Sequence, residues 1–283
     1  MEEILFTKMH GIGNDYIYIY CPDGAPSDIS ELSIEMSPRH TAVGSDGIIL
    51  ILPSEKADFM MRIFNADGSE ARMCGNGIRC VGKYVYDKGL TSKTELDIDT
   101  LSGIKHLSLH VGDDGTVSTV TVDMGIAATI APEVLPEGPT IEKVVSTSAG
   151  LFALTAISMG NPHGVVFTED MDGVDVHASG RELEMHPMWP DRANIEFARV
   201  DSPHDIFMRV WERGSGETMA CGTGACATAA AAVITGRCKS PVRVRLLGGT
   251  LEISVSPSGS ILMTGPATTV FEGRYRRLRK INV

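Results

Sequence analysis

The sequence predicts an α+β protein of two pseudo-symmetric domains, each a curled, barrel-like and mostly antiparallel β-sheet around a central α-helix. Short alternating segments bounded by turns, such as "YIYIY" (16–20) and "HLSLHV" (106–111), predict strands along most of the chain. The sequence also repeats itself at an offset of 147 residues, which predicts two halves built alike. Few segments have helical character, so each half should contain mainly strands.

The repeat is clearest around two cysteines. At the offset of 147, "MRIF" (61–64) falls on "MRVW" (208–211), and "CGNG" at Cys74 falls on "CGTG" at Cys221. A single offset over so long a stretch indicates duplication. We therefore predict one domain of residues 1–121 plus 267–283 that carries Cys74, and a second of residues 122–266 that carries Cys221.

Three helices are predicted. The first begins near Asp28, where Glu31 three residues later completes the pattern of a capping box. The other two follow the segments "CGNG" at Cys74 and "CGTG" at Cys221. The last of them, "ACATAAAAVI" (225–234), is small and apolar on every side, which is typical of a helix surrounded by a sheet.

Composition limits the classes of function. The formal net charge of −11 argues against a nucleic-acid partner, because such binding depends on neutralising phosphates. The longest run of low polarity spans ten residues, well below the ~20 that a membrane helix needs. The N-terminus lacks the pattern of a secretory signal, and six cysteines in a chain of this length favour thiols over a disulfide framework. We expect a cytoplasmic protein that acts on a small molecule.

Three plain interpretations of the cysteines compete with a catalytic one. Cys74 or Cys221 could be a buried structural thiol. A zinc site is disfavoured, because the spacings to Cys80 and Cys226 turn the second thiol away from the first on a helix. "GTGACA" (222–227) loosely matches a dinucleotide-binding turn, but no acidic residue follows near 240–246.

The catalytic interpretation starts from the helix N-terminus. Unpaired N–H groups and the helix dipole should favour thiolate and lower the pKa of a cysteine there. The glycines allow a carboxylate to approach those N–H groups. If the two halves face each other, one sulfur lies on each face of the adjacent carbon, and proton removal and return would invert that centre. Two cysteines in like environments could supply one thiol and one thiolate together.

Five segments carry a family resemblance: "FTKMHGIGNDYIYI" (6–19), "FNADGSEARMCGNGIRC" (64–80), "GNPHGVVF" (160–167), "RANIEF" (192–197) and "ERGSGETMACGTGACA" (212–227). They closely resemble diaminopimelate epimerase, a family that interconverts LL- and meso-2,6-diaminopimelate. The resemblance implies a role in lysine biosynthesis, no pyridoxal phosphate, metal or other cofactor, and a homodimer.

The resemblance also implies the site residues. Cys74 and Cys221 match the acid/base pair, and His163 and Glu212 match positions regarded as supporting the thiols. The matching substrate contacts are Asn14, Gly47, Asn65, Gly75, Asn76, Asn161, Asn194, Glu212, Arg213, Gly222 and Thr223. At Gly47 other members often carry glutamine, so only backbone could make that contact here.

Two other functions stay open. A histidine or proline racemase could use the same two cysteines on another amino acid. A binding protein or thiol redox sensor would need no proton transfer at carbon. The basic tail "GRYRRLRK" (273–280) could suggest nucleic acid, but the family places a final strand there that returns to the first domain.

Overall fold

The computed structural model describes residues 2–132 and 138–277. The chain divides into two compact units, of which the first comprises Met1–Val122 and Pro266–Val283 and the second Asp123–Gly265. Residues 278–283, which include the end of the basic tail, lie outside the described part of the chain. Among the described helices, none is long and apolar enough to cross a membrane.

The first unit alternates strand pairs with two helices. Strand β8 continues a few residues past the unit boundary, and the last strand comes from the C-terminal end of the chain. Its elements are β1 (Glu2–Gly11), β2 (Asn14–Tyr20), α1 (Ile29–Met36), β3 (Gly47–Leu52), β4 (Phe59–Asn65), β5 (Glu70–Ala71), α2 (Gly75–Asp87), β6 (Glu95–Thr100), β7 (Gly103–Val111), β8 (Val117–Ile126) and β18 (Thr268–Arg277).

The second unit repeats this order of elements. Its longer helix, like α2, has 13 residues, and both of its ends lie 147 residues after those of α2. The elements are β9 (Lys143–Thr147), β10 (Gly150–Ser158), β11 (Pro162–Phe167), α3 (Val176–Glu184), β12 (Asn194–Ser202), β13 (Asp205–Glu212), β14 (Gly216–Thr218), α4 (Gly222–Ile234), β15 (Val242–Leu246), β16 (Gly249–Val255) and β17 (Ser260–Pro266).

Strand pairing is mostly antiparallel in both units. Parallel pairs occur at corresponding places, between β2 and β3 and between β4 and β6 in the first unit, and between β11 and β12 and between β13 and β15 in the second. The predicted α+β class with two similar halves is confirmed.

Helix α4 is buried along nearly its whole length. Ala229, Ala230, Ala231 and Ala232 have no solvent exposure, and α4 packs against β10, β11, β12, β15 and β16. Small side chains let strands approach a helix closely from several sides, which explains why its composition shows no polar face. Helix α2 is likewise largely buried, against β1, β2 and β7.

A matched ion pair precedes each central helix. Arg62 on β4 donates to both carboxylate oxygens of Glu70 at 2.7 and 3.0 Å, and Arg209 on β13 does the same to Glu217 at 2.7 and 3.0 Å. A bidentate pair of this kind holds two adjacent strands in register. The pair therefore anchors the short strand that leads to each cysteine.

The two shorter helices differ from expectation. Helix α1 begins after Asp28 as predicted, but the Asp28 side chain makes no capping hydrogen bond. The capping box is wrong because the Asp28 carboxylate pairs instead with Arg277. Helix α3 was not predicted. Its N-cap, Asp175, accepts a hydrogen bond from the backbone N–H of Ala178 at 2.9 Å, and it lies 147 residues after Asp28, so the repeat contained the missing signal.

The described part of the basic tail forms strand β18. It pairs antiparallel with β1, with Phe6 opposite Gly273, and the Phe6 ring packs edge-on against Phe271. The tail therefore closes the sheet of the first unit, as the family resemblance implies.

Candidate active site

Cys74 is the N-cap residue of α2. Its backbone is extended, and its Sγ accepts a hydrogen bond from the backbone N–H of Gly77 at 3.3 Å. Sulfur here takes the position in which serine or aspartate usually caps a helix. The Cys74 thiol also donates to Oδ1 of Asn14 at 3.2 Å. The helix N-terminus and Asn14 thus meet at one sulfur.

Asp46 orients the Asn14 amide. Its Oδ2 accepts from Asn14 Nδ2 at 2.7 Å and from the backbone N–H of Asp15 at 3.1 Å, and its Oδ1 accepts from Arg39 at 2.7 Å. Because the amide nitrogen is held by a carboxylate, the amide oxygen must face Cys74. Asp46 was not predicted, since no motif distinguishes it from other aspartates in turns.

Cys221 caps α4 in the same way. Its backbone is extended, its Sγ accepts from the backbone N–H of Gly224 at 3.4 Å, and the Thr223 hydroxyl lies 3.6 Å from the sulfur. Cys221 is only 6% exposed, whereas Cys74 is partly exposed. The two caps therefore share their backbone geometry and differ in burial.

Burial raises the pKa of the Cys221 thiol well above its ordinary range, and the charges of Glu212 and Glu196 raise it further. The hydroxyl of Thr223 and the N–H of Gly224 act in the opposite direction but do not compensate. The expected lowering of the pKa is therefore wrong for Cys221, because burial and two carboxylates outweigh the end of a helix.

The surroundings of the two helix N-termini are also unlike. A Cβ added to Gly77 would lie 2.5 Å from Cδ1 of Ile49, and one added to Gly224 would lie 2.7 Å from Oε1 of Glu196. Ile49 and Glu196 occupy equivalent positions at the offset of 147. An apolar side chain in one unit is thus replaced by a carboxylate in the other, and the expectation of like environments is wrong.

Glu212 lies at the end of β13, next to Cys221. Burial raises the pKa of its carboxyl, and the hydrogen bond from Thr218 and the nearby Cys221 thiol lower it. The charge of Glu196 raises the Glu212 pKa and that of His163 lowers it. The charge of Glu196 therefore raises the pKa of both Glu212 and Cys221.

His163 and Glu196 form a fully buried pair. Nδ1 of His163 lies 2.7 Å from Oε1 of Glu196, and Nε2 lies 3.2 Å from Oδ1 of Asn161. Neither His163 nor Glu196 has any solvent exposure. Glu196 was not predicted, although it lies inside the quoted segment "RANIEF", because an acidic residue in a strand ordinarily faces solvent.

Asn194 and Arg213 are joined at the start of β12. Oδ1 of Asn194 accepts from the backbone N–H of Arg213 at 3.0 Å, and its Nδ2 donates to the carbonyl of Pro162 at 3.2 Å. The Arg213 guanidinium donates to the carbonyl of Asp191 at 2.9 Å and to its carboxylate at 3.2 Å. The structure thus groups Asn161, His163, Asn194, Glu212, Arg213, Cys221, Gly222 and Thr223 in the second unit.

Glu184 of α3 is a further residue that was not predicted. Its carboxylate accepts from Nε1 of Trp211 at 2.7 Å and from the backbone N–H of Gly214 at 2.9 Å. These two donors flank Glu212 and Arg213 in the chain. Glu184 therefore holds the turn between β13 and β14.

Gly47 and Asn65 face each other across β3 and β4. The φ of Gly47 is +153°, and an added Cβ would lie 2.0 Å from the carbonyl oxygen of Phe64. A side chain at this position would require the backbone to move, so only the backbone of Gly47 can contact a ligand. Nδ2 of Asn65 donates to the Ser69 hydroxyl at 3.0 Å.

The first turn of α2 contains Gly75 and Asn76. Oδ1 of Asn76 accepts from Arg79 at 3.0 Å, and Arg79 donates to the carbonyl of Gly75 at 3.0 Å and to that of Pro266 at 3.2 Å. Arg79 has no exposure and was not predicted. It places a buried positive charge one turn into the helix that Cys74 caps.

The comparison with protein families identifies the chain. The family described as diaminopimelate epimerase matches residues 6–130 and 155–270. The chain belongs to the diaminopimelate epimerase family. The resemblance found in the sequence motifs is thereby confirmed.

Relatives in the family cover nearly the whole chain. A diaminopimelate epimerase of Bacteroides thetaiotaomicron is 53% identical over 275 residues, covering 96% of this chain and 97% of the relative. A diaminopimelate epimerase of Acetivibrio thermocellus is 48% identical over 273 residues, covering 95% of this chain and 97% of the relative. A diaminopimelate epimerase of Methanococcus maripaludis strain C5 is 47% identical over 272 residues, covering 95% of this chain and 98% of the relative.

Solved structures share the fold at low sequence identity. A phenazine biosynthesis protein of the PhzF family from Bacillus anthracis has a TM-score of 0.71 and 17% identity, covering 98% of this chain and all of that chain. A hydroxyproline epimerase from Agrobacterium vitis has a TM-score of 0.71 and 16% identity, covering 96% and 92%. At this level of identity, the similarities show a shared fold alone.

Proposed function

We propose that this protein is a diaminopimelate epimerase in which Cys74 and Cys221 exchange protons with the α-carbon of the substrate. The observation that carries the proposal is that both cysteines cap a central helix at equivalent positions of a duplicated fold, in a chain of this family. The reaction converts LL-2,6-diaminopimelate to the meso isomer and back.

Each half-reaction uses one sulfur. A thiolate removes the α-proton and becomes a thiol, and the electron pair left on carbon is delocalised into the neighbouring carboxylate. The other cysteine gives its thiol proton to the opposite face and becomes a thiolate. The carbon is inverted, and the two sulfurs have exchanged protonation states, so the enzyme is ready for the reverse direction.

The first turns of α2 and α4 would hold the reacting carboxylate. We assign this role to the backbone N–H groups of Gly75, Asn76, Gly222 and Thr223. N–H groups at the start of a helix have no carbonyl partner within it, and they stabilise an anion there. Their effect grows as negative charge accumulates on the carboxylate in the transition state.

The remaining polar residues would bind the amino and carboxylate groups of the substrate. Arg213 suits a carboxylate through two N–H groups, Glu212 suits an ammonium, and asparagine amides serve either. Release of Arg213 from the exposed carboxylate of Asp191 would free its guanidinium for the substrate. The assigned contacts are Asn14, Gly47 through its backbone, Asn65, Asn161, Asn194, Glu212 and Arg213.

His163 and Glu212 would support the thiols by controlling their protonation. The charge of Glu212 favours the protonated form of Cys221 in the absence of substrate. Cys221 is then able to act first as the acid. An ammonium group of the substrate near Glu212 would weaken this effect and allow Cys221 to ionise.

Isotope exchange tests the proposal directly. Incubation with LL- or meso-diaminopimelate in D₂O should place deuterium at Cα, and Cys74→Ala or Cys221→Ala should abolish net epimerisation. Glu252→Gln, an exposed strand residue of the second unit, is the matched control and should keep full activity. A panel with proline and histidine separates the alternative racemases. A protein that binds diaminopimelate without exchange in any panel member is not an epimerase.

We further propose a role in lysine biosynthesis in the cytoplasm, where a reducing environment keeps catalytic thiols reduced, and assembly as a homodimer. Light scattering of the purified protein at assay concentration tests the dimer. A mass of a single 30.3 kDa chain would contradict it.

A further inference from the structure

Glu196 is a buried carboxylate in the sheet of the second unit. It lies on β12, in register with Val165 of β11, and has no solvent exposure. Its Oε1 lies 2.7 Å from Nδ1 of His163. Its Oε2 is buried without a hydrogen-bond partner among the described residues.

The first unit shows what this position looks like without a functional demand. There, Ile49 takes the equivalent place on β3, fully buried, and packs beside Gly77 as Glu196 packs beside Gly224. Burial of a carboxylate with one oxygen unsatisfied is unfavourable, and an aliphatic side chain avoids that cost. The carboxylate therefore has a role other than stabilising the fold.

The partner of Glu196 indicates that role. An ionised carboxylate at Nδ1 requires a proton on that nitrogen, which fixes the protonation and the plane of the ring. Nε2 lies 3.2 Å from Oδ1 of Asn161, so both ring nitrogens face an oxygen acceptor. The titratable groups that face this pair from neighbouring elements are Glu212 of β13 and Cys221 of α4, and both sense the charge of Glu196.

We infer that Glu196 is a positioning residue that acts through His163. It holds the imidazole with Nδ1 protonated, where its charge acts on Glu212. This inference rests on the proposed function, because it assigns Glu196 to the positioning of a residue that supports the thiols. It adds a residue that touches neither substrate nor reacting sulfur.

Kinetics of Glu196→Gln test the inference. Glutamine keeps the volume of the side chain and removes its charge. We expect kcat to fall by about tenfold or more while KM changes by less than about threefold, since a group that only orients an acid or base acts on the chemical step. Glu252→Gln should match the wild type. A folded E196Q variant with kcat within about twofold of the wild type would overturn the inference.

A double-mutant cycle distinguishes action through His163 from a separate effect. If Glu196 acts through the ring, adding E196Q to His163→Gln should lower kcat no further. Multiplicative losses in the double variant would show that Glu196 acts independently, which contradicts the inference.

Nitrogen-15 NMR of the histidines gives a readout that does not depend on turnover. The wild-type signal that disappears in His163→Gln should belong to a ring protonated at Nδ1, and E196Q should change its chemical shift or remove the Nδ1 proton. An unprotonated Nδ1 in the wild type would overturn the inference even if E196Q fails to fold. If the wild type shows the Nδ1 proton but no α-proton exchange, the proposed function fails and the pairing stands.

Discussion

Replacing Glu212 with glutamine should lower the pKa of the Cys221 thiol. After burial, the charge of Glu212 is the largest cause that raises this pKa. Glutamine keeps the length and hydrogen-bonding capacity of the side chain and carries no charge. The E212Q variant therefore isolates the electrostatic contribution of one carboxylate.

The magnitude follows from contact and burial. The charge of Glu212 acts on Cys221, and the cysteine is 6% exposed, so water screens the interaction weakly. A like charge close to a buried thiol disfavours the thiolate, so removing that charge lowers the thiol pKa. We expect the Cys221 pKa to decrease but to stay above its ordinary range, because burial and Glu196 continue to favour the thiol. One unit corresponds to about 1.4 kcal/mol between the two protonation states.

The assay is the pH dependence of alkylation. In a Cys74→Ala background, iodoacetamide modification of the Cys221 peptide is followed by mass spectrometry, and the midpoint of the rate against pH reports the thiol pKa. Glu252→Gln is the matched control, because Glu252 is an exposed strand residue of the second unit and is not among the charges named as raising the pKa of Cys221. A midpoint in E212Q that equals or exceeds that of the control would refute the electrostatic reasoning.

Two further predictions concern packing in each unit. Gly77→Ala should lower the free energy of unfolding by about 1–3 kcal/mol, because the new Cβ would lie 2.5 Å from Cδ1 of Ile49. Urea denaturation measures this loss of stability. Adding Ile49→Val should restore part of it. Glu184→Ala should lower the free energy of unfolding by about 1–3 kcal/mol, because Trp211 and Gly214 lose their hydrogen-bond acceptor. It should also raise KM, because the turn after β13 is no longer held. Urea denaturation measures the first effect and steady-state kinetics the second.

Each of these has a matched comparison. An I49V change that restores nothing in the Gly77→Ala background would show that the strain lies elsewhere. Glu184→Gln retains an oxygen acceptor for the Trp211 indole, so it should be milder than Glu184→Ala in both measurements. Equal effects of the two substitutions would contradict the role of the hydrogen bonds.

The duplicated order of elements could be predicted because periodic patterns and helix caps are local features. Alternation of side chains predicts strands, and an all-apolar stretch such as 225–234 predicts a surrounded helix. The offset of 147 residues adds information that a single half lacks, and applied to Asp28 it locates α3. The capping box at Asp28 failed because a distant residue, Arg277, competes for the same carboxylate.

The sequence alone determined the family, the fold class and the positions of both cysteines at helix N-termini, because these depend on motifs, periodicity and spacing within short stretches. Only the tertiary structure decided that Cys221 is buried beside Glu212 and Glu196, that His163 pairs with Glu196, and that Asp46 orients Asn14. Ionisation depends on burial and on charges brought together from separate strands. The duplicated sequence predicts two like thiols. The fold makes them unlike, because Glu196 and Glu212 stand where the first unit has Ile49 and Asn65, and both carboxylates act on the buried Cys221.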